Sequence, residues 1–440
     1  MGTILNIKKK VLPLVNTFIL KFNRLDQNIL LLKINIILLG ILYLILCSFP
    51  KRDDFWRITY NSIIFIQDPL HFMNLNLQYI VYPPSIYAIE GYWLSLGSFL
   101  FHYNLDDLAK MIFTTYYNGF VDGSVPGYTL FPVWGMLPLL IALFFLVVIC
   151  YMVLETKWLS ILCFGPLTFV SIALFGQLDI FCILFIFVSL ILMREALTSE
   201  RYFLLIFLSF TLLGISMQFK TYGALLLPVY FLYTFSILKN RSLKKIESFI
   251  IVLISTLYFL LAMFIVWIPY GFAAFQSVIL TGESNWLFSY QLSNGLSLWL
   301  LGYFFIFCFI GHYTLKNSST FVNDRRYFDF FNFIVIIWFF ISVFTYPQWW
   351  ILLLPAIILV MDSFKIKNNY IYCVFVFTIF LIFIDSWVGT IISSFDAYFG
   401  PFISALGQLN PNEHVISATI LMGLLILWAL ELKSNLDLHK

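Results

Sequence analysis

Lys51-Arg52-Asp53-Asp54-Phe55-Trp56-Arg57 opens the one long polar interruption in this chain. The interruption runs through Tyr82-Pro83-Pro84 and closes on Asp122-Gly123-Ser124-Val125-Pro126-Gly127. Nearly everything outside it is apolar. The contrast predicts an all-α polytopic membrane protein with a long first loop. It also places two acids, Asp53 and Asp54, directly after the first hydrophobic run, where a polar group meets the membrane surface.

Composition supports that reading. Of 440 residues, 62% are hydrophobic and 11% charged, and the mean hydropathy is +0.95. A soluble domain carries about 25% charged residues. The length accommodates about a dozen spans of about 20 residues each. Aromatic residues, 20% of the chain, suit lipid-facing helices with Tyr and Trp at the interfaces. There is no basic stripe for nucleic acid, no Walker-type phosphate loop and no soluble domain. The six cysteines all lie in apolar runs without Cys-x-x-Cys spacing, so they are read as unpaired. The five histidines form no His-x-x-x-His pair, which argues against a protein-built zinc site.

Residues 1–28 read as a cytoplasmic N-terminal segment rich in lysine, and 29–49 as a retained first span rather than a cleaved signal. Further apolar runs near 129–154, 158–175, 178–193, 202–218, 222–238, 248–270, 295–315, 328–345, 349–362, 370–388 and 414–432 predict the other spans, those after 363 forming a C-terminal group that ends in a short cytoplasmic tail. Segment 85–103 is also apolar, but it carries Glu90 and lies between Pro83-Pro84 and Asp106-Asp107. It either spans or lies along the surface. Charge decides between the two. With 85–103 on the surface, all but five of the 25 Lys and Arg fall on one side, the five being Lys51, Arg52, Arg57, Lys110 and Lys220. A thirteenth span would turn every later basic loop outward, against the positive-inside rule. The basic side, with both termini, is therefore expected to be cytoplasmic.

On the opposite side lie the first loop (50–128), Gly176-Gln177-Leu178-Asp179, Gln218-Phe219-Lys220, the loops near 271–294 and 389–413, and Tyr346-Pro347-Gln348-Trp349-Trp350. Beyond the first loop, Lys220 is the only base there. A cation at the membrane boundary is costly and usually has a partner; it either snorkels to the interface or holds an anion.

The order of these motifs resembles the GT-C superfamily, polytopic glycosyltransferases that use polyprenyl- or dolichyl-phosphate sugars. Asp53-Asp54-Phe55 stands where members carry an acid after the first span. Tyr82-Pro83-Pro84 resembles their Tyr-Pro-Pro element, and Gly176-Gln177-Leu178-Asp179 their Gly-Gln-Phe-Asp turn. Gln218-Phe219-Lys220 with Leu226-Leu227-Pro228 resembles their Lys turn. Tyr346-Pro347-Gln348-Trp349 with Leu353-Leu354-Pro355 resembles their His-Pro-Gln-Tyr element. The likeness covers most of 50–360, and 29–362 would form the catalytic module. Two departures are plain. The first loop lacks the Asp-x-Asp of the glycolipid-anchor mannosyltransferases, and Tyr346 stands where the family has His.

The resemblance implies an integral membrane hexosyltransferase, of mannose or glucose, with its active site on the non-cytoplasmic face of the cell membrane, or of the endoplasmic reticulum in a eukaryote. Its partners would be a lipid-phosphate sugar donor, a glycan or lipid acceptor and the surrounding membrane lipid, with no nucleic acid. The resemblance implies no particular cofactor, and a divalent cation is left open. In such a reaction an acceptor hydroxyl loses a proton to a carboxylate, for which Asp54 is the first candidate and Asp53 the second; the plain alternative is an N-cap for a helix starting at Phe55. A fixed cation would stabilise the leaving phosphate, which nominates Lys220 and then Arg57. Asp179, Gln177, Tyr82, Glu90, Gln348 and Trp349 are candidates for holding substrate, against the alternatives of an N-cap for Asp179 and an aromatic belt for Trp349 and Trp350. A transporter, lipid-linked oligosaccharide flippase or glycan polymerase is the competing reading. Transporters are often built from repeats, with ionisable groups at mid-membrane, and the sequence shows no obvious repeat.

Overall fold

A computed structural model describes residues 29–48, 53–74, 82–117, 131–165, 178–276, 291–292, 296–316, 322–342, 351–365 and most of 427–436, with Thr168, Ile172 and Val278 as isolated positions. Among these residues the structure is helical, apart from one antiparallel pair, Gln291–Leu292 against Leu296–Ser297.

The helices are α1 (Ile29–Ser48), α2 (Asp53–Gln67), α3 (Pro84–Phe101), α4 (Leu105–Tyr117), α5 (Phe131–Val153), α6 (Asp179–Thr198), α7 (Tyr202–Ser216), α8 (Leu227–Asn240), α9 (Lys245–Phe264), α10 (Leu298–Lys316), α11 (Arg325–Ser342) and α12 (Leu353–Phe364). Four stretches are long and apolar enough to cross a membrane: Trp134–Val153, Asp179–Thr198, Thr221–Asn240 and Lys245–Trp267. At a rise of 1.5 Å per residue, about 20 residues cover the hydrocarbon thickness. Shorter apolar helical stretches are Leu30–Leu42, Tyr202–Ser216, Leu300–Thr314 and Leu353–Phe364. The expected span at 158–175 begins as a 3-10 segment, Lys157–Phe164. The expected span at 370–388 and most of that at 414–432 lie outside the described residues.

One helix shows why lipid suits this chain. Helix α9 exposes Ile246, Phe249, Ile250, Leu253, Leu257, Leu260 and Leu261. An apolar face that wide is unfavourable in water and costs nothing against lipid tails. Its opposite side meets α7 so closely that a Cβ on Gly214 would lie 2.3 Å from the Phe259 carbonyl oxygen. Small and hydroxylic residues fasten the other contacts, as expected where no hydrophobic drive separates helix from lipid. Ser189 on α6 donates to the Ser209 carbonyl on α7 at 2.6 Å, Ser209 returns a bond to the Ser189 carbonyl at 2.9 Å, and the Tyr230 hydroxyl of α8 joins Ser189 at 2.9 Å.

Antiparallel packing sorts the helix ends into two groups. At one end, Glu155 after α5 meets Arg325 at the start of α11 (2.6 Å) and Lys365 after α12 (3.7 Å). Arg241 after α8 donates to the Ser199 carbonyl in the α6–α7 turn. At the other end, Tyr270 donates to the Pro69 carbonyl in the first loop, and Tyr82, just ahead of α3, reaches Lys220 beside the start of α6.

The described part of the first loop is a packed layer at that second end. Amphipathic α2 buries Phe55, Trp56, Ile58, Ile63 and Phe65, and α4 buries Leu108, Ala109 and Ile112. Helix α3 lies between α2 and α5. It starts where the sequence predicts, with Pro84 at a first-turn position whose N–H needs no partner. It ends at His102 in the left-handed conformation, φ 56°. Helix α3 is not among the four long spans, and its exposed residues Tyr92, Leu96, Phe99, Leu100 and Phe101 are apolar or aromatic.

Candidate functional site

Three sequence elements that lie far apart in the chain meet at the start of α6. Asp179 is the first residue of that helix, with Leu178 as its cap and no side-chain capping bond. The capping alternative for Asp179 is therefore not what the structure shows: its carboxylate turns to Lys220, at 3.8 Å from Oδ1 to Nζ. That separation is an ion-pair contact rather than a hydrogen bond. Asp179 is 0% exposed and Lys220 5%. Its place in the first turn also sets the carboxylate at the positive end of the helix dipole. From the first loop, the Tyr82 ring covers the ammonium at 4.6 Å, a cation–π contact strengthened by exclusion of water.

Each partner is held by its own surroundings. Lys220 follows Phe219, whose ring stacks on Phe181 and Phe185 of α6, both at 5.5 Å. Gln218 beside it donates to the Ala262 carbonyl of α9. The Lys220 backbone is extended, φ −158° and ψ 148°, before a 3-10 turn at Thr221–Leu226. That turn needs Gly223, where a Cβ would lie 2.4 Å from Ser216 Oγ. On the other side, the Tyr82 backbone N–H donates to the Tyr87 hydroxyl at 3.2 Å, and Tyr87 packs on Phe72.

The other candidates are placed as follows. Asp53 and Asp54 lie in the first turn of α2, which begins at Asp53, two residues before the start expected from sequence. Arg57 is half-buried one turn later. Glu90, in the middle of α3, is 2% exposed. Neither of its oxygens has a hydrogen-bond partner among the described residues. Burial pushes its carboxyl up to about 8, because removal from water penalises the charged form. Gln177, Gln348 and Trp349, with Tyr346 and Trp350, lie outside the described residues. Among the described residues, no three His, Cys, Asp or Glu side chains cluster as metal ligands.

The structure also holds a second buried charged cluster, which motif and spacing do not single out. At the far end of α6, Arg194 meets Asp329 of α11 at 3.5 Å and Asp362 of α12 at 3.3 Å. Ser363 accepts from Arg194 at 3.2 Å and donates to Asp329, while Asp362 accepts the Thr156 backbone N–H at 3.0 Å. Each Asp lies within a turn or so of the end of its apolar helix, beside a basic loop. Position in the sequence gives no sign that the two share one arginine.

Fifteen residues separate Asp179 from Arg194 on one helix, so the two clusters stand about 22 Å apart. The first is an acid, a base and an aromatic lid at the first-loop end. It sets an ammonium beside a carboxylate and under an aromatic ring, an arrangement that can meet an anion. Comparison with known protein families, characterised proteins and solved structures found no match for this chain.

Proposed function

We propose that this chain is a membrane-embedded, inverting glycosyltransferase of the GT-C type. It would move a hexose, mannose or glucose, from a polyprenyl-phosphate donor to a glycan or lipid acceptor on the non-cytoplasmic face of a multi-pass protein. One observation carries the reading. Tyr82, Asp179 and Lys220 come from three separate motifs of the resemblance, and they meet in a single contact cluster.

In this reading Lys220 receives the donor phosphate. Negative charge grows on that phosphate as the glycosidic bond breaks, so a cation already in place lowers the barrier. Asp179 pairs with Lys220 and aims it. Tyr82 closes the pair off from water and lies on the helix layer that follows the acidic start of α2.

The pairing changes how the lysine must be tested. Lys220→Ala alone strands the Asp179 carboxylate in a buried site, and breaking a buried pair costs about 3–5 kcal/mol. The informative variant is Lys220→Met with Asp179→Leu, which removes both charges. Loss of one charge-assisted phosphate contact, about 1.5–3 kcal/mol, weakens donor use roughly 10- to 100-fold. The check is initial rate against concentration of a synthetic polyprenyl-phosphate mannose or glucose, with folding followed by size-exclusion chromatography. A well-folded double variant with the parental donor KM would remove the phosphate role.

Orientation is tested separately. In a cysteine-free background, an impermeant thiol reagent added from outside should label Ser124→Cys and miss Ser242→Cys. Labelling at residue 242 would invert the topology and place the Lys220 cluster on the cytoplasmic face.

A further inference from the structure

We propose that Glu90 is the centre of a hydroxyl-binding subsite at the junction of α2, α3 and α5, where it holds a hydroxyl of the sugar acceptor. The site follows from the structure; only the identity of the ligand rests on the glycosyl-transfer reading.

The carboxyl is locked into this place from both sides. Next to it, Gly91 brings α3 against α2 so tightly that a Cβ would lie 2.6 Å from the Ser62 carbonyl oxygen. One turn further on, Trp93 and Trp134 stack at 4.5 Å and exchange bonds, each indole N–H donating to the other's carbonyl, at 2.8 and 3.0 Å. Gly97 lets the α3 backbone reach the Trp134 ring, 2.2 Å from where its Cβ would stand. Helix α3 therefore cannot turn Glu90 out to solvent without unstacking the tryptophans.

Within this clamp the carboxyl faces the bare backbone of α5. A Cβ built on Gly135 would sit 3.6 Å from Glu90 Oε1 and 3.1 Å from the edge of the Phe55 ring. Tyr103, the titratable neighbour that feels Glu90, has its hydroxyl committed to the Leu94 carbonyl at 2.8 Å. Burial of a carboxyl without hydrogen bonds is expensive, and among the described residues no hydrogen bond compensates it. Because burial favours the protonated form near neutral pH, the group both donates and accepts one hydrogen bond. That pattern matches a sugar hydroxyl and does not match a metal ion or an ammonium group.

Position links the subsite to the rest of the layer. Phe55, which shares the Gly135 notch, directly follows Asp54. Tyr82, which covers Lys220, lies two residues ahead of α3, and Glu90 is six residues past its first residue Pro84, about 9 Å at helical rise. The lid over the donor phosphate would thus stand just ahead of this helix, and the acceptor hydroxyl at its middle.

The test uses the purified full-length chain in detergent, with Glu90→Leu and Glu90→Gln, and octyl mannoside and octyl glucoside as probes. Thermal unfolding and ligand-induced change in tryptophan fluorescence are the readouts. Glu90→Leu is expected to raise Tm, since it removes an uncompensated buried carboxyl, and to weaken binding of the preferred glycoside about 10-fold or more. Glu90→Gln, whose amide also donates and accepts, is expected to keep most of the binding. A fall in Tm or failure to fold in Glu90→Leu would mean that the carboxyl has a structural partner, and it would overturn the proposal. So would parental binding in Glu90→Leu, or the absence of binding to the parent protein by either glycoside. If the parent binds a glycoside through Glu90 but transfers no sugar from a polyprenyl-phosphate donor, the subsite stands and the glycosyltransferase reading falls.

Discussion

Asp54→Asn is expected to reduce turnover about 100- to 10,000-fold, the range that general-base catalysis contributes, with little change in donor affinity. The proposed transfer would need a group that takes a proton from the acceptor hydroxyl as it attacks the anomeric carbon. Asn keeps the shape and the hydrogen bonding of Asp but cannot take that proton. A structural role predicts a different result. Helix α2 begins at Asp53, so Asp54 lies inside the first turn, where a carboxylate gains about 0.3–1 kcal/mol from the helix dipole. Its loss would lower stability slightly and leave turnover within a few-fold of the parent. Asp53→Asn is expected to be milder, because consecutive side chains on a helix point about 100° apart. Transfer from a synthetic polyprenyl-phosphate sugar, measured for both Asn variants, separates the outcomes. A large loss in Asp53→Asn alone would move the base to Asp53. Near-parental turnover in both would end the catalytic claim for this loop.

Arg194→Met is expected to destabilise the fold by about 3–5 kcal/mol, the usual cost of removing one partner from a buried ion pair. The substitution leaves Asp329 and Asp362, each 1% exposed, facing each other without their cation. The network joins α6, α11, α12 and the segment after α5, so its failure would loosen four elements at once. Replacing all three charges by apolar residues of similar volume should restore much of the loss, since well-packed hydrophobic triads often match buried ionic ones. Thermal unfolding in detergent of Arg194→Met and of Arg194→Met/Asp329→Leu/Asp362→Leu checks both halves. A parental Tm in the single variant would show that the arginine does not hold these helices together. Transfer activity should follow folding in this series, because the network stands about 22 Å from Asp179 along α6.

Local features are legible in the sequence. Tyr82-Pro83-Pro84 marks the start of α3 because proline fits the first helical turn and little else there. The apolar runs mark α1, α5, α6 and α9 because their composition is that of lipid. Hydropathy predicts a span at 158–175, whereas Lys157–Phe164 is a 3-10 run; apolar composition alone does not distinguish the two. The acids at 53 and 54 put the start of α2 two residues too late, since Asp suits both a cap and a first turn.

Charge partners are not legible in the same way. Beyond the first loop, Lys220 is the only base that the sequence reading puts on the side of that loop, and its need of a partner can be argued there from cost alone. That the partner is Asp179 depends on Phe219 stacking against Phe181 and Phe185, a contact between the two ends of a helical hairpin. The Arg194 network depends on three hairpins placing their ends together, and the isolation of Glu90 depends on glycines at 91, 97 and 135 that let three helices close around it. Within the described residues, the sequence by itself determined most of the apolar helical stretches and where the polar motifs fall between them, because these follow from composition and period over a few turns. Only the tertiary structure decided which buried charges neutralise each other and which carboxyl has no partner among the described residues, because in a low-dielectric interior the energy of a charge is set by the neighbours that folding brings within a few ångströms.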